Sequence, residues 1–315
     1  MILSLLIFIA ADFTSALELW KSQMLQYGRP VCEQLRSTTI NDDNLRSTYY
    51  DFQRVAFQIS DYTKDAYWDG CASLPRLHYR DGYVVANGGR IPGYWVFAKG
   101  LAEDYRRNRN TFSLAALRSL GNNAAYCNLQ GSAPAELPSS DLSRESAYCL
   151  LLFLEKRKLG DPAGNLIKFR DYSRGHLDQW FVKHSAAHTK PFMVGLTAEA
   201  LINYKERQNK SYPLIQILSK AGDELWSKFW DEKSQSFFYV DNPYPNDDGH
   251  IPAPDLNLLI APMYGWLWKM THNPKWRERG DKIFEGGVRG AWLGGGKQFN
   301  QNYRWSFDYI KWRAQ

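Results

Sequence analysis

Apolar residues recur three or four positions apart along most of the chain, the period of a helix with one buried face. The pattern predicts helices over 18–38, 43–64, 91–107, 111–129, 141–158, 165–183, 192–208, 211–231, 255–271, 274–290 and 297–313. Local chemistry punctuates several of them. Asp141-Leu-Ser-Arg-Glu reads as a capped start, Gly160-Asp-Pro ends the helix that follows, Pro191 opens the next, and Asn273-Pro274 separates a pair. Two stretches lose the period. Residues 65–90 are rich in Gly, Asp and aromatics; residues 233–254 suggest a short strand over 237–240 and then a Pro/Asp loop. Long loops in compact domains commonly carry function.

The helices alternate in character. Those starting near 143, 192 and 255 are apolar almost all round, whereas those near 165, 211 and 274 carry more charge. The first kind suits inner helices and the second outer ones. Comparable apolar helices begin near Asn44, Arg90, Ser143, Pro191, Asp255 and Gln298, a spacing of about 45–65 residues that fits a repeated helical hairpin. The expected class is all-α: an (α/α)6-type toroid of about six hairpins, closed or incomplete, with an open α-solenoid as the alternative. The most linker-like stretch, 131–140, is short, so residues 17–315 are expected to form one domain.

Composition sharpens this picture in three ways. With 44% hydrophobic and 23% charged residues the chain of 315 is globular rather than disordered. Its 12 Trp, 19 Tyr and 16 Phe fill a core, and the remainder are available to stack on sugar faces. A net charge of +6 and a pI near 9.0 favour anionic partners such as an acidic polysaccharide; no nucleic-acid-binding motif accompanies that charge.

The N-terminus combines an apolar run, Ile2 to Ala11, with the small residues Thr14-Ser15-Ala16. The run is too short to span a bilayer, and residues 1–16 read as a signal peptide of a secreted or periplasmic protein. No Lys or Arg precedes the run, and a buried first helix is the other reading. Cys32, Cys71, Cys127 and Cys149 form no CxxC pair, which argues against a zinc or redox motif and leaves disulfides and buried thiols both open.

The hairpin layout, the export-like N-terminus and the aromatic-rich helix starts resemble the (α/α) toroid polysaccharide lyases and glycoside hydrolases, alginate-lyase-like enzymes among them. The resemblance implies that the N-terminal ends of the inner helices converge on one mouth, and polar residues at those ends become the candidates. The last helix offers Asn302, Tyr303, Arg304 and Trp305 within Gln298–Tyr309. A guanidinium is a planar fork for a carboxylate, and a phenol can carry a proton; the same groups would otherwise tie down the closure of the toroid. Arg144, Glu145 and Tyr148 open another inner helix, and Arg90, Tyr94 and Trp95 a third. His184 and His188 precede the helix at Pro191. Their i,i+4 spacing suits a metal, but no HExxH glutamate or third ligand follows, so a base or donor role is expected instead, with structural capping as the alternative. Asp255 and Asn257 start the helix after the Pro/Asp loop, and Asp247-Asp248-Gly249 falls short of a calcium loop.

A lyase acting on a uronate must neutralise the carboxylate, remove the C5 proton and protonate the leaving oxygen. The expectation is therefore a β-eliminating polysaccharide lyase without metal or cofactor. Tyr303, Arg304, His188, Tyr148 and Glu145 are its catalytic candidates. Arg90, Tyr94, Trp95, Arg144, His184, Asp255, Asn257, Asn302 and Trp305 are its substrate contacts. Two alternatives stand beside it. A glycoside hydrolase would pair carboxyls among Glu145, Asp255 and Asp308 across the bond. A non-catalytic helical scaffold would bind carbohydrate or protein.

Overall fold

A computed structural model describes residues 2–129, 134–162, 164–241 and 250–315, with side chains from Phe13 onward. The Asp247-Asp248-Gly249 turn lies outside the described residues. The protein is all-α, with one two-stranded ribbon among those residues, β1 (Trp230–Asp231) paired antiparallel with β2 (Ser236–Phe237). Asn257 fastens the ribbon: its amide donates to the carbonyls of Gln235 (2.9 Å) and Ile283 (3.1 Å) and its oxygen accepts from Phe237 N.

Fourteen α-helices run in chain order among the described residues: α1 (Ile2–Leu35), α2 (Asp42–Arg46), α3 (Phe52–Thr63), α4 (Tyr67–Ser73), α5 (Ala98–Asn108), α6 (Thr111–Asn123), α7 (Ser143–Lys158), α8 (Leu166–Phe181), α9 (Pro191–Arg207), α10 (Ile215–Phe229), α11 (Ala261–Thr271), α12 (Pro274–Gly290), α13 (Gly296–Tyr303) and α14 (Ser306–Arg313). None is long and apolar enough to cross a membrane. The alternation of helix character has a structural counterpart. Helices α7, α9 and α11 are buried on nearly every side, whereas α8, α10 and α12 bury one face. In succession α3 packs on α5, α5 on α7, α7 on α9, α9 on α11 and α11 on α14, while α13 returns to α3. One contiguous apolar core reaches from Phe13 to Trp312. Close approaches set its dimensions: Gly195 of α9 lies so near the backbone of Leu259 that a Cβ there would collide.

Several expected boundaries change. The segment 65–90 is not a loop; it holds α4 and a π-helical stretch, Arg76–Val85. The helix expected over 43–64 breaks at 47–51, the one over 255–271 opens as a 3₁₀ stretch, Pro254–Leu259, and the last one splits at Arg304–Trp305. Helix α1 extends through Ala16 to Leu35, and Phe13 packs on Phe284 with Arg313 3.5 Å from its ring centroid.

Both pairs of cysteines are joined. Cys32–Cys71 links α1 to α4, and Cys127–Cys149 links the segment after α6 to α7.

Candidate functional site

Two cavities lie at opposite ends of the central helices, and they differ in size and in chemistry. The smaller, about 270 Å³, sits where the N-terminal ends of α3, α7 and α9 meet α13 and the Pro254–Leu259 stretch. Tyr49, Tyr50, Arg144, Phe192, Tyr239, Asp255, Lys297, Gln298 and Gln301 are among its lining residues. We call it the mouth. The larger, about 610 Å³, is lined by α3 and α5, by the later turns of α7 and α9 and by α14.

The wall of the mouth at the start of α3 has an unusual backbone. Tyr50 and Asp51 both take left-handed conformations, with φ of 65° and 69°. Such a conformation in consecutive non-glycine residues costs on the order of 1–3 kcal/mol each and persists only where the surroundings enforce it. The enforcing contacts are visible. Asp51 accepts from Arg54 N and Gly100 N, and Asn300 of α13 donates to the carbonyls of Ser47 (2.9 Å) and Tyr49 (2.7 Å). Gly100 has no side chain because Asp51 occupies that space. The two tyrosine rings meet edge to face at 4.8 Å, and Tyr49 packs on Trp95 (4.6 Å) and Phe97 (5.3 Å). Burial pushes both phenols above their ordinary range, against the opposing pull of Arg144.

Arg144, in the first turn of α7, reaches the mouth with its guanidinium 5.1 Å from the ring centroid of Tyr94 and an ion pair to Glu145 at 3.1 Å. Burial opposes its charge, but Tyr49 and Glu145 outweigh that and raise its pKa further. Its Nε, the Oε2 of Glu145, and the hydroxyls of Ser143 and Ser146 are buried with no protein partner among the described residues. Buried polar atoms in this state are uncommon, and of these residues Arg144 lines the mouth. Lys297 adds a second cation, 5.6 Å from the Tyr49 ring centroid. The N-terminal ends of α7 and α9 contribute positive partial charge as well. Against these stands Asp255, whose backbone carbonyl accepts from Gln301 at 2.6 Å. The mouth can hold an anion beside aromatic faces and neutral phenol donors.

Behind the mouth lies a buried ion cluster centred on Glu199 of α9. Its Oε1 accepts from Arg54 (2.6 Å) and Lys99 (2.9 Å), its Oε2 from Arg304 (2.8 Å), and Arg304 also donates to the Tyr148 hydroxyl (2.9 Å). Burial opposes ionisation of Glu199, yet Arg304, Lys99 and Arg54 hold its pKa well below the usual carboxylate range. Burial and Arg54 bring Lys99 down to about 8 despite Glu199. Arg54 and Lys99 line the larger cavity, and Arg304 faces Tyr50 with 5.9 Å to the ring centroid, so Glu199 separates the two cavities.

The charges of the larger cavity are largely consumed in mutual pairs. Glu155 accepts from Arg106 (2.7 Å) and Arg207 (2.6 Å), and Arg107 pairs with Asp61 and Glu103. Burial resists the Glu155 carboxylate, but Arg207 and Arg106 bring it to about 2. Helix C-termini also favour cations at this end without any ligand.

Of the residues expected from sequence, Arg144 and Asp255 line the mouth, and Tyr94 and Glu145 adjoin Arg144. Tyr148 and Arg304 belong to the ion cluster behind it. Tyr303 is fully buried and its hydroxyl donates to the Trp20 carbonyl at 2.8 Å, which makes it a packing residue of the α1–α13 contact. Trp305 is buried as well, and Asn302 donates to the Gln298 carbonyl at 2.9 Å. Asn257 is occupied by the ribbon, Trp95 is packed among Tyr49, Tyr83 and Phe97, and Arg90 is exposed in a turn. His184 lines a separate hollow with Glu224, and His188 stands 3.9 Å from Asp241 of that hollow. Neither lines the mouth. Asp308 lines the larger cavity, so Glu145, Asp255 and Asp308 do not converge at one place.

Sequence reasoning missed Tyr49, Tyr50, Lys297, Tyr239 and Glu199. Two signals were present. Tyr49-Tyr50-Asp51 precedes an apolar helix just as Arg144 does, and Glu199 is a lone acid in the apolar run Phe192–Ile202. No protein-family model, curated protein or solved structure matches the chain.

Proposed function

We propose that the chain is an exported α/α toroid whose mouth binds an acidic sugar unit of a polysaccharide and cleaves the chain there by β-elimination. The observation that carries this reading is the mouth itself: Arg144 and Lys297 beside Tyr49, Tyr50, Phe192 and Tyr239. Arg144 and Lys297 neutralise the carboxylate, which acidifies the C5 proton of a uronate. The aromatic rings take the apolar faces of the sugar. Tyr50 is the proton carrier: as a phenolate it removes the C5 proton, and as a phenol it returns it to the leaving oxygen as the C4–O bond breaks. Burial, Tyr148 and Tyr49 oppose the charged form of Tyr50, which Arg144 beside it and Arg304 behind it favour. This assignment moves the chemistry from Tyr303 and the histidines to the start of α3.

The helix succession that returns from α13 to α3 supports the toroid. The two disulfides and the lack of a membrane-spanning helix among the described residues are compatible with a secreted or periplasmic location.

One observation favours a second reading, binding without cleavage. Burial favours the protonated form of both Tyr49 and Tyr50, which suits donors to a ligand better than a ready base. The test is to incubate the protein with pure oligouronates and follow both binding and the ultraviolet absorbance of an unsaturated product. Absorbance that rises in the wild type and vanishes in Tyr50→Phe, with binding retained, supports elimination. Binding with no product in either protein sinks elimination and leaves the binding reading.

A further inference from the structure

The mouth is smaller than the roughly 300–1,000 Å³ of ordinary ligand pockets. It accommodates one sugar unit, so a polymer must leave it across the rim. We infer that the bound chain runs out of the mouth over the indole of Trp292, which forms a second sugar-binding position; this rests on the mouth being an acidic-saccharide site.

Of the twelve tryptophans, Trp292 alone is exposed, at 64%. An isolated apolar side chain at the surface needs no explanation, but this one is seated. Its indole lies against Gly294 and Gly295: a Cβ at Gly294 would stand 2.9 Å from ring carbons, and one at Gly295 would stand 3.4 Å from them. The missing side chains let the ring lie down on the backbone. Gln298, which lines the mouth, flanks the same point, its Oε1 2.8 Å from the Cβ position of Gly295. The indole and the mouth therefore share a wall.

The segment carrying Trp292 is also anchored to the mouth at both ends. Gly290 abuts Pro254, next to Asp255, and Gly296 abuts Ser47 at the start of the strained segment that bears Tyr49 and Tyr50. A flat, fixed, solvent-facing aromatic at this place suits the C–H face of a sugar one unit beyond the charged one. It loses little conformational freedom on binding, because the glycine seat has already fixed it. Tyr94, 38% exposed, is already engaged with Arg144. Trp292 therefore offers the free aromatic face, and the polymer extends toward it.

The experiment is calorimetric titration of a monomeric uronate and of a uronate tetrasaccharide into the wild type, Trp292→Ala and Arg144→Ala. The wild type is expected to bind the tetrasaccharide more tightly than the monomer. Trp292→Ala is expected to lose roughly threefold to tenfold for the tetrasaccharide and nothing for the monomer. Tetrasaccharide affinity unchanged in Trp292→Ala, with monomer binding intact and sensitive to Arg144→Ala, overturns the rim position and leaves the mouth. A wild type that binds neither ligand overturns the mouth and the rim position together.

Discussion

The two ends of the central helices differ in how many charged groups line them and in how those groups are used. At the larger cavity nearly every arginine has found a carboxylate: Arg106 and Arg207 on Glu155, Arg107 on Asp61 and Glu103. At the mouth Arg144 keeps an unpartnered Nε, Glu145 an unpartnered Oε2, and the backbone at Tyr50 and Asp51 is held in left-handed conformations. The bigger cavity is thus the one whose arginines are paired, although Gln58 Oε1 has no partner there. Volume favours the larger cavity, whereas the unpaired Arg144 Nε and the strained backbone beside it favour the mouth we propose.

Glu199 is the hinge of that comparison, because it serves both ends. Glu199→Leu strands Arg54, Lys99 and Arg304 without their counter-charge, and should cost about 3–5 kcal/mol of stability in urea unfolding. A loss under 1 kcal/mol would mean that the cluster does not hold the two ends together. The disulfides come next. Replacing Cys127 and Cys149 with Ala should cost about 2–4 kcal/mol, and Cys32 and Cys71 a similar amount. Unchanged midpoints under reducing and oxidising conditions would contradict both links.

Acid should erode the structure in two stages. Burial lowers the pKa of His176 to about 4 from its ordinary 6.5, against its hydrogen bond to the Leu137 carbonyl. The folded state therefore binds fewer protons, and this contribution is whole above pH 6.5 and drains away as the pH falls toward 4. Glu155, held at about 2 against an ordinary 4.5, adds a second loss that begins below 4.5. Urea midpoints measured across this range should fall in that order, and His176→Phe should flatten the first limb. A first limb that persists in the variant would assign it elsewhere. The smallest effect is expected at Tyr303→Phe, which removes the hydrogen bond to Trp20 and should cost about 1 kcal/mol of stability. Product formation or binding lost without destabilisation would return Tyr303 to the chemistry.

Much of the helical layout was legible because periodicity reports how many faces of a helix are buried. That is why α7, α9 and α11 stood apart from α8, α10 and α12. Periodicity does not report tertiary hydrogen bonds. The break at 47–51 exists because Asn300 and Gly100, distant in sequence, hold it, so no local pattern marks it. The π-helical stretch Arg76–Val85 was lost among glycines and aromatics for a related reason: its composition resembles a loop. Residues that line the mouth were legible where a helix start alone sufficed, as at Arg144 and Asp255. The dense polar run at 298–305 divides, since amides and aromatics that close a fold look the same in sequence as those that line a cavity: Gln298 and Gln301 line the mouth and others pack. There Asn300 clamps the strained segment, Tyr303 fastens α1, and Arg304 joins the ion cluster.

The most direct test of the central claim, that the mouth rather than the larger cavity is the ligand site, is calorimetric titration of a uronate oligosaccharide into Arg144→Ala and Lys311→Ala. Lys311 lines the larger cavity, is exposed, and forms no ion pair among the described residues, so its loss should leave the fold alone. Binding reduced roughly tenfold to a hundredfold in Arg144→Ala and unchanged in Lys311→Ala is the expected result. Binding lost in Lys311→Ala and kept in Arg144→Ala would place the site at the other end and contradict the account.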